Sequence, residues 1–145
     1  MTEQEKWDYI NSLDEELLQG GVMLSEWTTF LAKDAEIAFC GHANLSSILA
    51  CQAAIESHLR FDYFTLEQSK GWGFYQLIEN SSLSSDLKNE LHELRKFRNT
   101  WVHVKDPSND SDLLVRPEYH ENKLEQFAKK SIRIMLNALY NNSWI

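Results

Sequence analysis

The sequence predicts an all-α protein, an up-and-down bundle of about five helices. Apolar residues recur at spacings of three and four along most of the chain, which is typical of amphipathic helices. No convincing alternating run of β-branched residues interrupts this pattern, and the chain has only two prolines and five glycines. At 145 residues the chain has the length of one domain, so we expect residues 1–145 to form one helical domain with short connections.

The first three helices are separated by glycine-containing turns. A helix that includes Trp7 and Leu17 is expected to end at Gly20, where glycine supplies a C-terminal cap. A second helix is expected to end at Gly41, and Ser25 near its start can accept a hydrogen bond from a free amide. The apolar stripe of this second helix consists of Met23, Trp27, Phe30, Leu31, Ala35 and Ala38.

The third helix, over about 44–60, is predicted to be the central core helix. Its apolar positions include Ile48 and Ile55, and Gln52 occupies the same stripe at helical spacing. An aromatic-rich connection over 61–73 and a short helical piece at 74–78 follow. The serine-rich segment 81–86 then provides the cap of a long fourth helix.

The fourth long helix is expected to end near His103 or just ahead of Pro107. A polar loop follows, and Pro117 with Glu118 marks the start of the last helix, because proline is favoured at the first helical position and an acid is favoured after it. The apolar spacing of the last helix ends around Asn141.

Charge and cysteine content limit the classes of function. With 22 acidic against 14 basic residues the net charge is −8, so any RNA contact must depend on a local basic patch. Cys40 and Cys51 lack metal-type spacing and the five histidines are dispersed, so neither a metal site nor a cofactor is expected. The N-terminus lacks an apolar signal region and no stretch approaches about 20 apolar residues, so we expect a cytoplasmic protein without membrane association.

One segment, in the last turns of the fourth long helix, indicates a chemistry. It places Arg98, Asn99 and His103 within six residues. The imidazole of a histidine exchanges protons near neutral pH, and a guanidinium stays charged and can hold two phosphate oxygens. These groups meet the needs of metal-free RNA cleavage, in which the 2′-hydroxyl attacks the adjacent phosphorus. A purely structural interpretation is also open, because basic residues near a helix C-terminus interact favourably with the helix dipole and a histidine there can cap free carbonyl groups.

The spacing Arg-Asn-x-x-x-His resembles the motif of HEPN ribonucleases, and the all-α pattern suits that family. The resemblance implies that Arg98 binds phosphate, that Asn99 orients it or the histidine, and that His103 acts as acid or base. It also implies a homodimer with a composite cleft and products with a 2′,3′-cyclic phosphate and a 5′-hydroxyl. A place in a toxin–antitoxin or phage-defence system, with an antitoxin or other inhibitory protein as partner, follows from the same resemblance.

One position departs from a branch of that family. In the toxins whose antitoxin is a minimal nucleotidyltransferase, a tyrosine that receives AMP lies two places after the histidine. This chain has Lys105 there. The resemblance is therefore to other HEPN branches, such as those of phage defence.

Residues around the motif are expected to assist it. Arg95, Lys96 and Lys105 form a modest basic edge that we predict binds RNA, and Arg95 shares a helical row with Arg98. Glu56 of the third helix is predicted to support the site by reaching toward an arginine of the motif; pairing with a surface cation is the alternative.

Helix geometry constrains the site. Residues five apart, such as Arg98 and His103, differ by about 140° in azimuth and about 7.5 Å in height on an ideal helix. Either the helix loosens after Thr100, or two protomers contribute to one cleft. The alternative function is a non-catalytic HEPN-like interaction or nucleotide-binding module, in which Arg98 and His103 bind a phosphate or support the dimer without turnover.

Overall fold

The protein is described by a computed structural model that covers residues 1–103, Asp106, Ser108 and residues 112–142. This described part contains six helices and no β-strand, which confirms the predicted all-α class. The helices are α1 (Glu3–Leu17), α2 (Glu26–Cys40), α3 (Asn44–Asp62), α4 (Phe74–Asn80), α5 (Ser85–Val102) and α6 (Pro117–Leu139). The number exceeds the predicted five because the short piece after the aromatic connection is a helix of its own, α4. None of the described helices has the length and apolar character needed to cross a membrane.

Local sequence signals set several helix starts. The Thr2 hydroxyl accepts a hydrogen bond from the backbone N–H of Glu5, and the Glu5 carboxylate accepts one from the N–H of Thr2, which is a capping box. Ser25 caps α2 by accepting from the N–H of Thr28 at 3.1 Å, as predicted. The last helix begins at Pro117, also as predicted.

The centre of the molecule is α3, which packs against α2, α4, α5 and α6. Its Ile48, Ile55 and Leu59 side chains are fully buried. They belong to one cluster of buried apolar side chains that includes residues from all six helices. The prediction of a central core helix is confirmed, and consecutive helices along the chain pack against each other.

The apolar stripe predicted for α2 is only partly the buried face. Trp27 and Phe30 are 80% and 67% exposed, and Met23, ahead of the helix, is exposed as well. The face that α2 turns toward the core consists of Thr28, Ala32, Ala35, Phe39 and Cys40. Apart from Phe39 these are small residues, which let α2 approach α3 closely, and Trp27 and Phe30 are left on the outside.

A buried lysine joins α1 to the turn between α2 and α3. Lys6 is fully buried, and its ammonium donates hydrogen bonds to the carbonyl oxygen of Phe39 at 2.9 Å and to Oδ1 of Asn44 at 3.4 Å. Nδ1 of His42, a turn residue with a φ of 63°, lies 3.1 Å away. A carboxylate oxygen of Glu125 on α6 lies 3.4 Å from the same ammonium. One charge therefore links three parts of the bundle.

Candidate functional site

The motif lies at the C-terminal end of α5. The helix continues to Val102, and His103 is its C-cap residue, whose backbone N–H donates to the carbonyl oxygen of Asn99 at 3.0 Å. The predicted end near His103 is confirmed, and the helix does not loosen after Thr100. Arg98 is half-buried, whereas Asn99 and His103 are exposed. The helix therefore presents Arg98 toward the bundle and His103 toward solvent.

Arg98 lines a surface cavity of about 190 Å³ between α3 and α5. Its lining consists of Leu49, Gln52, Ala53, Glu56, Arg98 and Val102. Three of these side chains are apolar and three carry hydrogen-bonding groups. The side chain of His103 is outside this lining, directly beyond Val102 in the chain. The structure thus places the arginine of the motif in a cavity and the histidine next to it on the surface.

The cavity brings Glu56 and Arg98 to the same place. Glu56 is part of the lining, on α3, opposite the arginine of α5. Its carboxylate also lies 3.4 Å from the guanidinium of Arg60, one turn further along α3. The Arg60 guanidinium in turn donates to the carbonyl oxygen of Trp72 at 2.9 Å. The Arg60 guanidinium thus holds the Glu56 carboxylate near the cavity. A supporting role of Glu56 in the site stays a prediction.

Gln52 also belongs to the lining of this cavity, although the sequence analysis did not single it out, and its amide is enclosed by the protein rather than open to the cavity. The side chain is 1% exposed, and neither Nε2 nor Oε1 has a hydrogen-bond partner in the described part of the chain. A buried amide group without a partner costs about 1–3 kcal/mol, so such groups are rare without a reason. The sequence does contain a sign of this buried amide, because Gln52 occupies the apolar stripe of the third helix that includes Ile48 and Ile55.

Arg95 points away from the Arg98 cavity. Its Nε donates to Nδ1 of His92 at 3.3 Å, and its guanidinium lies over the ring of Tyr75, 5.2 Å from the ring centre. Nε2 of His92 is 2.6 Å from a carboxylate oxygen of Glu79. This cluster ties α5 to α4, so Arg95 has a structural role whether or not it contacts RNA.

The other predicted basic residues are only partly placed. Lys96 is exposed and borders the same surface depression as Arg95, apart from the Arg98 cavity. Lys105 lies outside the described residues. RNA binding by all three residues stays a prediction, and the structure does not bring Arg95 and Arg98 into one cavity.

Aromatic stacking fixes the end of α5 against α6. The rings of Phe97 and Phe127 are stacked with centres 4.1 Å apart and an angle of 12° between their planes. The ring of Trp101 is also near Phe97, with ring centres 6.2 Å apart. Since Phe97 precedes Arg98 directly, this contact sets the rotation of the motif helix and thereby the direction of the arginine.

Comparisons with known proteins assign no family to this chain: no family model, no curated protein and no solved structure matches it. Within residues 1–103, 106, 108 and 112–142, no group of three or more histidine, cysteine, aspartate or glutamate side chains could hold a metal ion. The functional interpretation therefore depends on the motif and on the surroundings of Arg98.

Proposed function

We propose that this chain is a metal-independent endoribonuclease of the HEPN type that acts as a homodimer. The observation that carries the proposal is the placement of Arg98 on the wall of a cavity, with the exposed His103 just beyond it at the end of the same helix. A guanidinium at a cavity wall can hold a phosphate, and an exposed imidazole beside it can reach the atoms around that phosphate.

The reaction would proceed through the substrate's own 2′-hydroxyl. The 2′ oxygen forms a bond to phosphorus, and the bond between phosphorus and the 5′ oxygen of the next nucleotide breaks. A neutral imidazole takes the 2′-hydroxyl proton, and a protonated imidazole gives a proton to the leaving 5′ oxygen. Arg98 neutralises the charge that grows on the phosphate oxygens, and Asn99 orients the phosphate or the imidazole. The products carry a 2′,3′-cyclic phosphate and a 5′-hydroxyl.

Two imidazoles at one phosphate favour a composite site. Each chain contributes one His103, and the unbroken helix directs Arg98 and His103 to different sides. A two-fold axis beside the end of α5 would bring the two motifs together, so that one His103 acts as the base and the partner's His103 as the acid. We propose a role in a toxin–antitoxin or phage-defence system, in which an inhibitory protein restrains the enzyme.

The test is cleavage of mixed cellular RNA by purified protein in EDTA. We expect wild type to cut and His103→Ala to be slower by about 100-fold or more, because removal of a general acid or base typically costs that much. His120→Ala is the matched control, since this histidine pairs with Asp112 at 2.8 Å and is not part of the lining of the Arg98 cavity. Circular dichroism confirms that each variant is folded. If wild type cuts no RNA offered, including RNA from phage-infected cells, the proposal is wrong.

A second candidate function is a nucleotide-binding module without turnover. The observation that favours it is the guanidinium of Arg98 on the cavity wall, which suits a nucleotide phosphate equally well with or without a reaction. Binding of a nucleotide by a protein that cuts no RNA would support this function over the first.

A further inference from the structure

Large apolar side chains cluster on the surface where α2 begins and α3 ends. Trp27 of α2, Phe61 of α3 and Leu66 of the connection after α3 line one shallow groove there. Phe61 and Leu66 are 61% and 85% exposed, and the ring of Trp27 is largely exposed as well. The exposed Phe30 lies one turn after Trp27, and the exposed Met23 directly precedes α2 and its cap. We call these five side chains the α2–α3 surface.

The α2–α3 surface is large for a protein that works as a single chain. With about 200 Å² for each large side chain, its five members expose roughly 700 Å² in total. The largest apolar patch of a typical monomer is about 300–600 Å², and larger patches mark interaction sites. A stable complex buries about 800 Å² on each partner. Together with a polar rim, the α2–α3 surface therefore reaches the size that a stable dimer needs.

The α2–α3 surface adjoins the Arg98 cavity. Arg60 lines the groove beside Trp27, and Glu56 lines the cavity. The guanidinium and the carboxylate of these two residues are 3.4 Å apart, so one turn of α3 separates the two depressions. A partner that covers the groove and continues along α3 therefore comes to the Arg98 cavity and to the exposed Val102 at the end of α5.

The charges around the two depressions are balanced. The lining of the groove contains Glu26 and Arg60, and the lining of the cavity contains Glu56 and Arg98. The whole chain has a net charge of −8, so two copies repel each other in most orientations. At this balanced surface they can meet without such local repulsion, whereas a partner recognised by opposite charge would need a surface of one sign. The charge distribution thus favours a second copy as the occupant.

We propose that a second copy of this chain docks on the α2–α3 surface, with Trp27 as a buried anchor of an interface that continues to the Arg98 cavity. The inference rests on the proposed function in taking the active form to be a homodimer. It adds the surface through which the dimer forms. Because this surface adjoins the cavity, each copy would also supply part of the wall around the other copy's Arg98.

The first test measures dimerisation without RNA. Sedimentation velocity over roughly 0.1–100 μM protein gives the dimer Kd. We expect wild type to be dimeric and Trp27→Ala to raise the Kd by about 30-fold or more, since loss of a central aromatic anchor typically weakens an interface that much. Tyr119→Ala is the matched control, because this half-exposed ring of α6 lies outside both linings, and it should keep the Kd of wild type.

A second substitution guards against an effect on folding. Leu66 is exposed and lies outside the helices, so Leu66→Asp should leave the fold intact, which circular dichroism checks. At the interface its charge would be buried next to the same charge of the other copy, so we expect the Kd to rise by about tenfold or more. A Kd that neither Trp27→Ala nor Leu66→Asp changes would overturn the inference, as would a chain that is monomeric at every concentration.

The second test measures RNA cleavage against protein concentration. Trp27→Ala keeps Arg98 and His103, so its rate per chain should be low in dilute solution and should recover as higher concentration restores the dimer. His103→Ala should remain dimeric and stay slow at every concentration. This difference distinguishes a residue that holds the dimer together from one that takes part in the reaction.

The two tests separate the failure of the inference from the failure of the proposed function. Dimerisation that depends on Trp27, in a protein that cuts no RNA, supports the interface and contradicts the ribonuclease. Cleavage whose rate and dimer Kd are the same in wild type, Trp27→Ala and Leu66→Asp overturns the interface and leaves the ribonuclease in place. A monomer that binds a different protein through Trp27 would also overturn the inference, because the surface would then belong to that partner.

Discussion

The ammonium of Lys6 donates a hydrogen bond to the carbonyl oxygen of Phe39 across 2.9 Å, in a position where the lysine is fully buried. It also lies 4.6 Å from the centre of the Phe39 ring. The carbonyl belongs to the last turn of α2, where carbonyl groups lack partners within the helix. A lysine near the start of α1 thus completes the hydrogen bonding at the end of α2.

Replacing this lysine should destabilise the fold. In Lys6→Met the hydrocarbon part of the side chain is kept, but Oδ1 of Asn44 loses the lysine as donor and the Phe39 carbonyl oxygen keeps only backbone donors such as the N–H of His42. We expect the free energy of unfolding to fall by about 2 kcal/mol, since a buried acceptor that loses its donor typically costs about 1–3 kcal/mol. Urea unfolding measures the change. Lys70→Met, at an exposed lysine, should stay within about 0.5 kcal/mol of wild type, and equal stability of both variants would contradict the assigned role of Lys6.

Glu36 should make stability depend on pH. Burial, and to a smaller extent the nearby Asp14 carboxylate, raise the pKa of the Glu36 carboxyl to about 7 from its ordinary 4.5. The folded protein therefore holds this proton more tightly than the unfolded chain. The free energy of unfolding is therefore highest below about pH 4.5, where Glu36 is protonated in both states. It falls as the pH rises through about 7, because the buried carboxyl must then ionise.

Glu36→Gln tests this pH dependence, because glutamine stays neutral throughout. We expect the variant to be more stable than wild type by about 1–2 kcal/mol at about pH 8, after allowance for partial solvent exposure, and equal to it at about pH 4. Urea midpoints at the two pH values give the result. The exposed Glu15→Gln should show no such change between them. A constant difference at both pH values would mean that the ionisation of Glu36 is not responsible.

Arg98→Lys should slow RNA cleavage while the fold is kept. Lysine keeps the positive charge but lacks the planar fork that holds two phosphate oxygens at once. We expect the cleavage rate in EDTA to fall by about 100-fold. Enzymes that lose one hydrogen-bond donor to a charged transition-state oxygen are typically slowed by about that much. Arg133→Lys is the control, since Arg133 pairs with Glu16 through both of its terminal nitrogens on the surface. An Arg98→Lys variant as active as that control would exclude a two-oxygen contact.

A composite cleft predicts how inactive subunits affect active ones. When wild type and His103→Ala exchange subunits in equal amounts, about a quarter of the dimers contain two intact chains. If one reaction needs both copies of His103, activity should fall to about a quarter of that of wild type at the same total concentration. A fall only to half would show that each chain acts alone. Sedimentation confirms that the mixed protein is dimeric.

The sequence predicted helix positions better than helix faces. Caps and breakers such as Ser25, Gly41 and Pro117 act within a few residues, so their effects can be read locally. Which side of α2 is buried depends on how closely α3 approaches, and the exposed Trp27 and Phe30 show that the largest apolar residues need not define that side. Helical spacing alone does not contain this information.

The same distinction applies to the site. The triplet Arg98, Asn99 and His103 could be found because its members are close in sequence. The engagement of Arg95 depends on Tyr75, a residue of another helix, and the isolation of the Gln52 amide depends on all that surrounds it. Contacts between distant parts of the chain decide both, so spacing along one helix could not predict them.

The two halves of α5 are held to the protein unequally. Leu87 and Leu91 in its first half and Leu94 directly after it are buried, whereas most of the last turn, up to the hydrogen bond between His103 and Asn99, faces solvent. Opening this turn frees Trp101 as its one half-buried apolar side chain, so its amides should exchange hydrogen by local opening, at a lower free energy than the amides of the first half. The motif can thus adjust its shape when RNA or a second subunit packs against it, while the core remains intact.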